Sequence, residues 1–184
     1  MNNGITKITY AHDITLVTLS SLPCDSSAVA GILSAMSDGN VNVDMISQTA
    51  PQGGAIRLSF SLSDRALGTA LSVLGEIRSK NSDVKPEILP GNCKVALYDE
   101  NMVNTPGVAA KVFTLLADAG IQVILVTTSE VDIPCSSLRT VFRMRWLLWA
   151  RLMALIRFKL SFKSCCFNKS YYKRQTQFPV PTFY

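Results

Sequence analysis

SSAVAGILSAMSDGNVNVDMISQ, residues Ser26–Gln48, returns eighty positions later as PGVAAKVFTLLADAGIQVILVTT, residues Pro106–Thr128. Ile32 and Leu33 fall opposite Val112 and Phe113, and Met36 falls opposite Leu116. Asp38 matches Asp118, Val41 matches Ile121, and Val43 matches Val123. Upstream, Leu16-Val17-Thr18 corresponds to Ala96-Leu97-Tyr98. One supersecondary unit is used twice.

Each unit opens with a β run, Ile14–Leu19 or Lys94–Tyr98, followed by a polar loop and an amphipathic helix. Val29, Ile32, Leu33 and Met36 lie at i, i+3, i+4 and i+7, a single helical face, and Val108, Val112, Leu115 and Ala119 make the second such face. Pro106 suits the first helical turn, where its missing N–H costs nothing. Gly39 and Gly120 are expected to supply left-handed C-terminal stops. Strands Val41–Ser47 and Ile121–Thr127 follow.

The first unit turns through Gln52-Gly53-Gly54 into Ala55–Leu62, where Ile56, Leu58, Phe60 and Leu62 alternate with polar or small residues. Ser63 or Asp64 caps a second helix carrying Leu67, Ala70, Leu71, Leu74 and Ile77, and Val84–Leu89 closes the unit. The order βαββαβ predicts an α+β fold of two ferredoxin-like modules.

Charge divides the chain elsewhere. All 13 acidic residues lie between Asp13 and Asp132, against 8 basic ones up to Lys111. From Ile133 onward there are 10 Lys and Arg and no acid, with both tryptophans, Trp146 and Trp149. This places a boundary near Ile133. The second module is expected to be incomplete beyond it, and residues 134–184 to form a basic tail that is disordered or ill-packed. A tail without acids fits translation in a shifted frame. Regrouping permitted codons for Pro134–Ala154 by one base gives a strand, a Ser/Asn-rich cap and an alanine-leucine helix, like Ile56–Glu76. Arg143, Arg145, Arg151 and Arg157 interrupt every candidate transmembrane window.

The strings GITKITY (Gly4–Tyr10), VNVDMISQ (Val41–Gln48), NTPGVAAKVFTLLADAGI (Asn104–Ile121) and TTSE (Thr127–Glu130) together resemble the paired ACT domains of aspartate kinases. The resemblance covers about residues 4–133. It implies a first ACT module at 11–91 and a second built from 4–10 plus 92–133, interlocked because Gly4–Tyr10 completes the second sheet. It further implies an allosteric, amino-acid-binding regulatory portion whose effector is lysine or threonine, with diaminopimelate a further candidate. The partners it implies are an aspartate kinase catalytic subunit or domain and a second copy of the chain.

A free amino acid loses hydration at its ammonium and its carboxylate on binding, so each needs a partner. A helix N-terminus offers N–H groups and a positive dipole end to the carboxylate. In the first module the resemblance implies that Asp25 receives the amine, with Ser26 and Ser27 in the same effector-binding loop. Asn42 and Val43 contribute main chain, and Gln48 closes the pocket. In the second, Asn104, Thr105, Pro106, Gly107 and Val108 form the equivalent loop, with Gln122 and Val123 opposite. The family's first loop carries proline-glycine where this chain has Ser26-Ser27. Asp25 and the two serines are also good N-cap residues with or without a ligand.

Other chemistries find little footing. Cysteines at 24, 93, 135, 165 and 166 show no metal-ligand spacing, and His12, the single histidine, sits beside Asp13 in what reads as a surface turn. No cofactor or metal is expected. The Lys-Phe-Gly-Gly string that opens the family's catalytic domain is absent, which implies a chain without catalytic residues of its own. A reduced, cytoplasmic protein without nucleic-acid or membrane partners is expected. Two alternatives stand beside it: a stand-alone ACT-type sensor serving another enzyme or a transcription factor, and a membrane-surface adaptor acting through the basic tail.

Overall fold

The computed structural model describes residues 7–118, 120–129 and 132–137. Six antiparallel strands form one sheet in the order β2-β3-β1-β4-β6-β5. They are β1 (Lys7–Pro23), β2 (Asp44–Gln48), β3 (Ala55–Ser63), β4 (Lys85–Tyr98), β5 (Val123–Val126) and β6 (Asp132–Ser137). Helices α1 (Ser26–Asp38), α2 (Leu67–Lys80) and α3 (Val108–Asp118) complete the described part.

β1 and β4 are the spine. Each runs through both modules and takes up two β runs that the sequence presents as separate. Ile14–Ser20 of β1 pair with Lys85–Asn92 of β4, and on its other edge β1 pairs with β3 from Ile14↔Ser63 to Pro23↔Ala55. Beyond a bulge the same two strands pair again, Lys7↔Tyr98 through Ala11↔Lys94, and that half of β4 pairs onward with β6. The chain's leading strand therefore sits in the second module's sheet, and the modules are interlocked.

The bulge explains why one strand looks like two runs in the sequence. Asp13 takes φ +58, so the register slips between Ala11 and Ile14, and His12 lies within β1 rather than in a surface turn. Ser21, at φ +60, marks a second slip between Leu19 and Leu22. β2 starts at Asp44 and β5 at Val123, later than hydropathy alone suggests, because 41–43 and 121–122 lie outside the ladder.

Each module has its own apolar core. In the first, Val17, Leu19 and Leu22 of β1 and Ile56, Leu58, Phe60 and Leu62 of β3 meet Ile32 and Met36 of α1 and Ala70 and Leu74 of α2. The period-2 and period-3.6 patterns place these side chains on facing surfaces, and burial of such side chains contributes about 1.5–3 kcal/mol each. The second core joins Leu97, Val112, Leu116, Ile121, Ile133 and Cys135, with Ile8 of the exchanged strand packed on it. Leu71 does not join the buried face of α2 and is 46% exposed. On α3 Leu116 is buried where Leu115 is only half-buried, and the side chain of Ala119 lies outside the described residues.

Gly53 and Gly54 both have positive φ, +59 and +79, and Gln52 and Ala55 exchange backbone hydrogen bonds of 2.8 and 3.1 Å, as a tight hairpin turn requires. Gly120 has the expected left-handed conformation, φ +67. Gly39 does not. Its φ is −75, and Asn40 takes the left-handed position at φ +55. Gly39 serves close packing instead, since a Cβ there would lie 3.1 Å from Val73 Cγ2 of α2.

β6 continues to Ser137, so the compositional break at Ile133 falls inside a strand, and Cys135 and Ser136 are buried. The tail expectation otherwise concerns residues 138–184, which lie outside the described residues.

Candidate functional site

Pro23 ends β1, and three residues later α1 begins. Asp25 bridges that step in extended conformation, φ −94 and ψ 131, and its Oδ1 accepts from the Ser27 N–H at 3.1 Å. Ser27 Oγ donates to Oδ2 of the same carboxylate. The side-chain bond and then the backbone bond from Ser27 hold the Asp25 carboxyl below its ordinary value. Both side-chain hydrogen bonds of Asp25 thus go to Ser27, in the helix-capping role that its position suggests. Ser26 and Ser27 are the first two residues of α1 and are exposed.

The second loop is built differently. A short 3-10 turn, Glu100–Asn104, leads to Thr105, whose N–H donates to the Met102 carbonyl at 3.2 Å. Pro106 and Gly107 make a turn ahead of α3, so Pro106 lies before the helix and not in its first turn. Gly107 has φ +87, and a Cβ there would meet nothing within 4 Å. Its glycine is demanded by the backbone torsion, not by space. By the eighty-residue offset, Ser26 and Ser27 stand where Pro106 and Gly107 stand. The serines are helical and the proline and glycine are not, so α1 starts two positions earlier in its unit than α3 does.

Behind each loop the arrangement is the same. Val29 of α1 and Val43 are half-buried on the first core; Val108 of α3 and Val123 are half-buried on the second. Each module therefore sets a helix N-terminus and the entry to its second strand over one apolar cluster. Asn42 is exposed beside Val43, and Gln48 is exposed at the end of β2, opposite Leu58. Asn104 and Gln122 are exposed, and Thr105 is half-buried. The two halves of each candidate site share a core, and the Asp25 carboxylate turns to Ser27 at the helix start.

Two features near the sites have no local signature in the sequence. Lys94 of β4 forms an ion pair with Asp44, the first residue of β2, across strands that are not neighbours. Asp64 was a candidate helix cap. Its Oδ1 instead accepts from Thr15 Oγ1 at 2.6 Å and from the Gly91 N–H at 3.3 Å, while Ser63 accepts from the Arg65 N–H at 3.4 Å. Asp64 thus ties β1 to β4 beside the point where the strands change modules. Among the described residues no cluster of His, Cys, Asp or Glu could hold a metal, and no helix is long and apolar enough to cross a membrane.

Two interlocked modules of this kind, each with a helix N-terminus set beside a strand entry, define a paired ACT architecture. Residues 95–136 match the sequence profile of the ACT domain family. The chain is 33% identical over 132 residues to an aspartokinase of Bacillus sp. (strain MGA3), covering 72% of this chain and 32% of that protein. It is 35% identical over 126 residues to an aspartokinase of Geobacillus stearothermophilus, covering 68% and 30%. The fold superposes on the ligand-free regulatory subunit of aspartate kinase from Thermus thermophilus with a TM-score of 0.73 and 21% identity, over 82% of this chain and 99% of that one. The chain is similar to part of the length of aspartokinases, and residues 95–136 carry the match to the ACT domain. It spans about a third of the length of the curated relatives it matches.

Proposed function

We propose that this chain is the amino-acid-binding regulatory portion of an aspartate kinase, exerting feedback control on biosynthesis of lysine, threonine and methionine from aspartate. The observation that carries the reading is the interlocked pair of modules. Lys7–Ala11 closes the second sheet while Ile14–Pro23 builds the first, so neither module can shift without moving β1. A rigid shared strand suits a protein that must convert a small ligand into a preference between two conformations. Lysine and threonine are the proposed effectors, with diaminopimelate a third. Their carboxylate would meet the N–H groups at the start of α1 or α3, and the main chain at Asn42–Val43 or Gln122–Val123 would take up the rest. The proposed partners are a kinase catalytic subunit or domain and a second copy of this chain, in the cytoplasm.

Isothermal titration of the chain with lysine, threonine and diaminopimelate tests this. Binding heat with at least one is expected, together with a rise in melting temperature. Ligand at a hundred times its Kd stabilises by about 2.7 kcal/mol. Neither heat nor a melting shift with any of the three would count against the reading. Co-purification with a kinase catalytic subunit separates it from a sensor serving another enzyme.

A further inference from the structure

We propose that Lys94, a second-module residue, acts through Asp44 to hold the bulge of β2 that presents the first module's Asn42 and Val43. The proposal rests on the amino-acid-binding reading for its functional meaning, though not for its geometry. β2 and β4 are separated in the sheet by β3 and β1, yet the Lys94 ammonium reaches the Asp44 carboxylate. Lys94 is mostly covered, its side chain 21% exposed, and it lies opposite Ala11 in the half of β4 that belongs to the second module.

Asp44 is where β2 departs from regular pairing. The register slips between Asp44 and Ser47, and Met45 between them has φ +47, a left-handed conformation costly for any side chain with a Cβ. Three contacts at Asp44 hold it there. Oδ1 accepts from the Met45 N–H at 2.8 Å, the Asp44 carbonyl accepts from Ser61 Oγ at 3.1 Å, and Oδ2 takes the Lys94 ammonium. The carboxylate thus supplies an acceptor to the strained residue's own N–H, and the ammonium fixes the carboxylate's rotamer. Met45 itself is buried. Asn42 and Val43 directly precede this clamp and Gln48 ends the same strand, so the clamp sets the position of the proposed first-module ligands. A displacement of β4 in the second module would reach them through one ion pair. By linkage, ligand at Asn42–Val43 would bias the second module equally.

Amide hydrogen exchange on the full chain without ligand tests the clamp. In Lys94→Met, exchange at Met45–Gln48 should rise about three- to fivefold, the scale of a partly exposed ion pair. The β3 amides of Leu58–Phe60 should be unchanged, and Lys94→Arg should restore slow exchange. High salt on the wild-type chain should move the same amides in the same direction, which keeps the test available if Lys94→Met does not fold. Unchanged exchange at Met45–Gln48, or an equal rise across the whole first module, would overturn the clamp. Titration with lysine and threonine then reads the site. Weaker binding in Lys94→Met, with Asp44→Asn adding no further loss, supports the coupling, and binding equal to wild type overturns it. A wild-type chain that binds none of lysine, threonine and diaminopimelate sinks the amino-acid reading and leaves the exchange result to decide the clamp.

Discussion

Asp25 and Gly107 occupy comparable places in the repeat and solve different problems. Asp25 is held by Ser27 and caps α1, and its carboxyl lies below the ordinary value. A carboxylate depressed in the folded state adds stability above its unfolded pKa and loses it as pH falls through the folded one. Asp25→Ala should therefore melt lower than the wild-type chain at pH 7. The difference should shrink as pH is taken below about 4, the unfolded carboxylate range, in thermal scans. Gly107 carries φ +87, and Gly107→Ala should cost about 1–2 kcal/mol in chemical denaturation, because the torsion penalises any Cβ even in open space. At Gly39 the constraint is of the opposite kind: its φ of −75 is ordinary, and an added Cβ would press on Val73 Cγ2 at 3.1 Å. Burial pushes the Cys135 thiol up to about 11, so at pH 8 it should react with iodoacetamide far more slowly than exposed Cys24, as peptide mapping would show.

At the scale of elements, the helices and most strands were legible because their signal is local. Periods of 3.6 and 2 in Val29–Met36 and Ile56–Leu62 depend on a handful of neighbouring residues. What was not legible depends on partners far along the chain. Gly39 reads as a helix stop until Val73 of α2 is placed against it. His12-Asp13 reads as a turn until β4 pairs on both sides of the bulge. The Asp44–Lys94 pair joins residues fifty apart, with no spacing rule to announce it. The candidate site divides in the same way. The helix-capping role of Asp25 could be read from sequence, whereas the earlier start of α1 relative to α3 appears only in the backbone. Phe60, fully buried in β3 at the centre of the first core, gives the element-scale prediction. Phe60→Ala should destabilise the first module by about 3–5 kcal/mol in urea unfolding.

For the whole molecule, the exchanged strand decides how the modules behave. Ile8 of β1 packs on the second core, and Lys7–Ala11 pair with Lys94–Tyr98. Ile8→Asp should raise amide exchange in Lys94–Tyr98 and in β6 while leaving Leu58–Phe60 protected. Equal loss of protection in both modules would show instead that they unfold as one unit.

The same strand also imposes an order in time. Lys7 leaves the ribosome about ninety residues ahead of its partner Tyr98. The first sheet can zip together once Asn92 has emerged. The second must wait for an end that the first already holds in place. Lys7–Ala11 would therefore stay unpaired while the intervening residues are made, and the long-range β1–β4 pairing that both sheets need is a slow step. A refolding experiment should show the first module protected before the second.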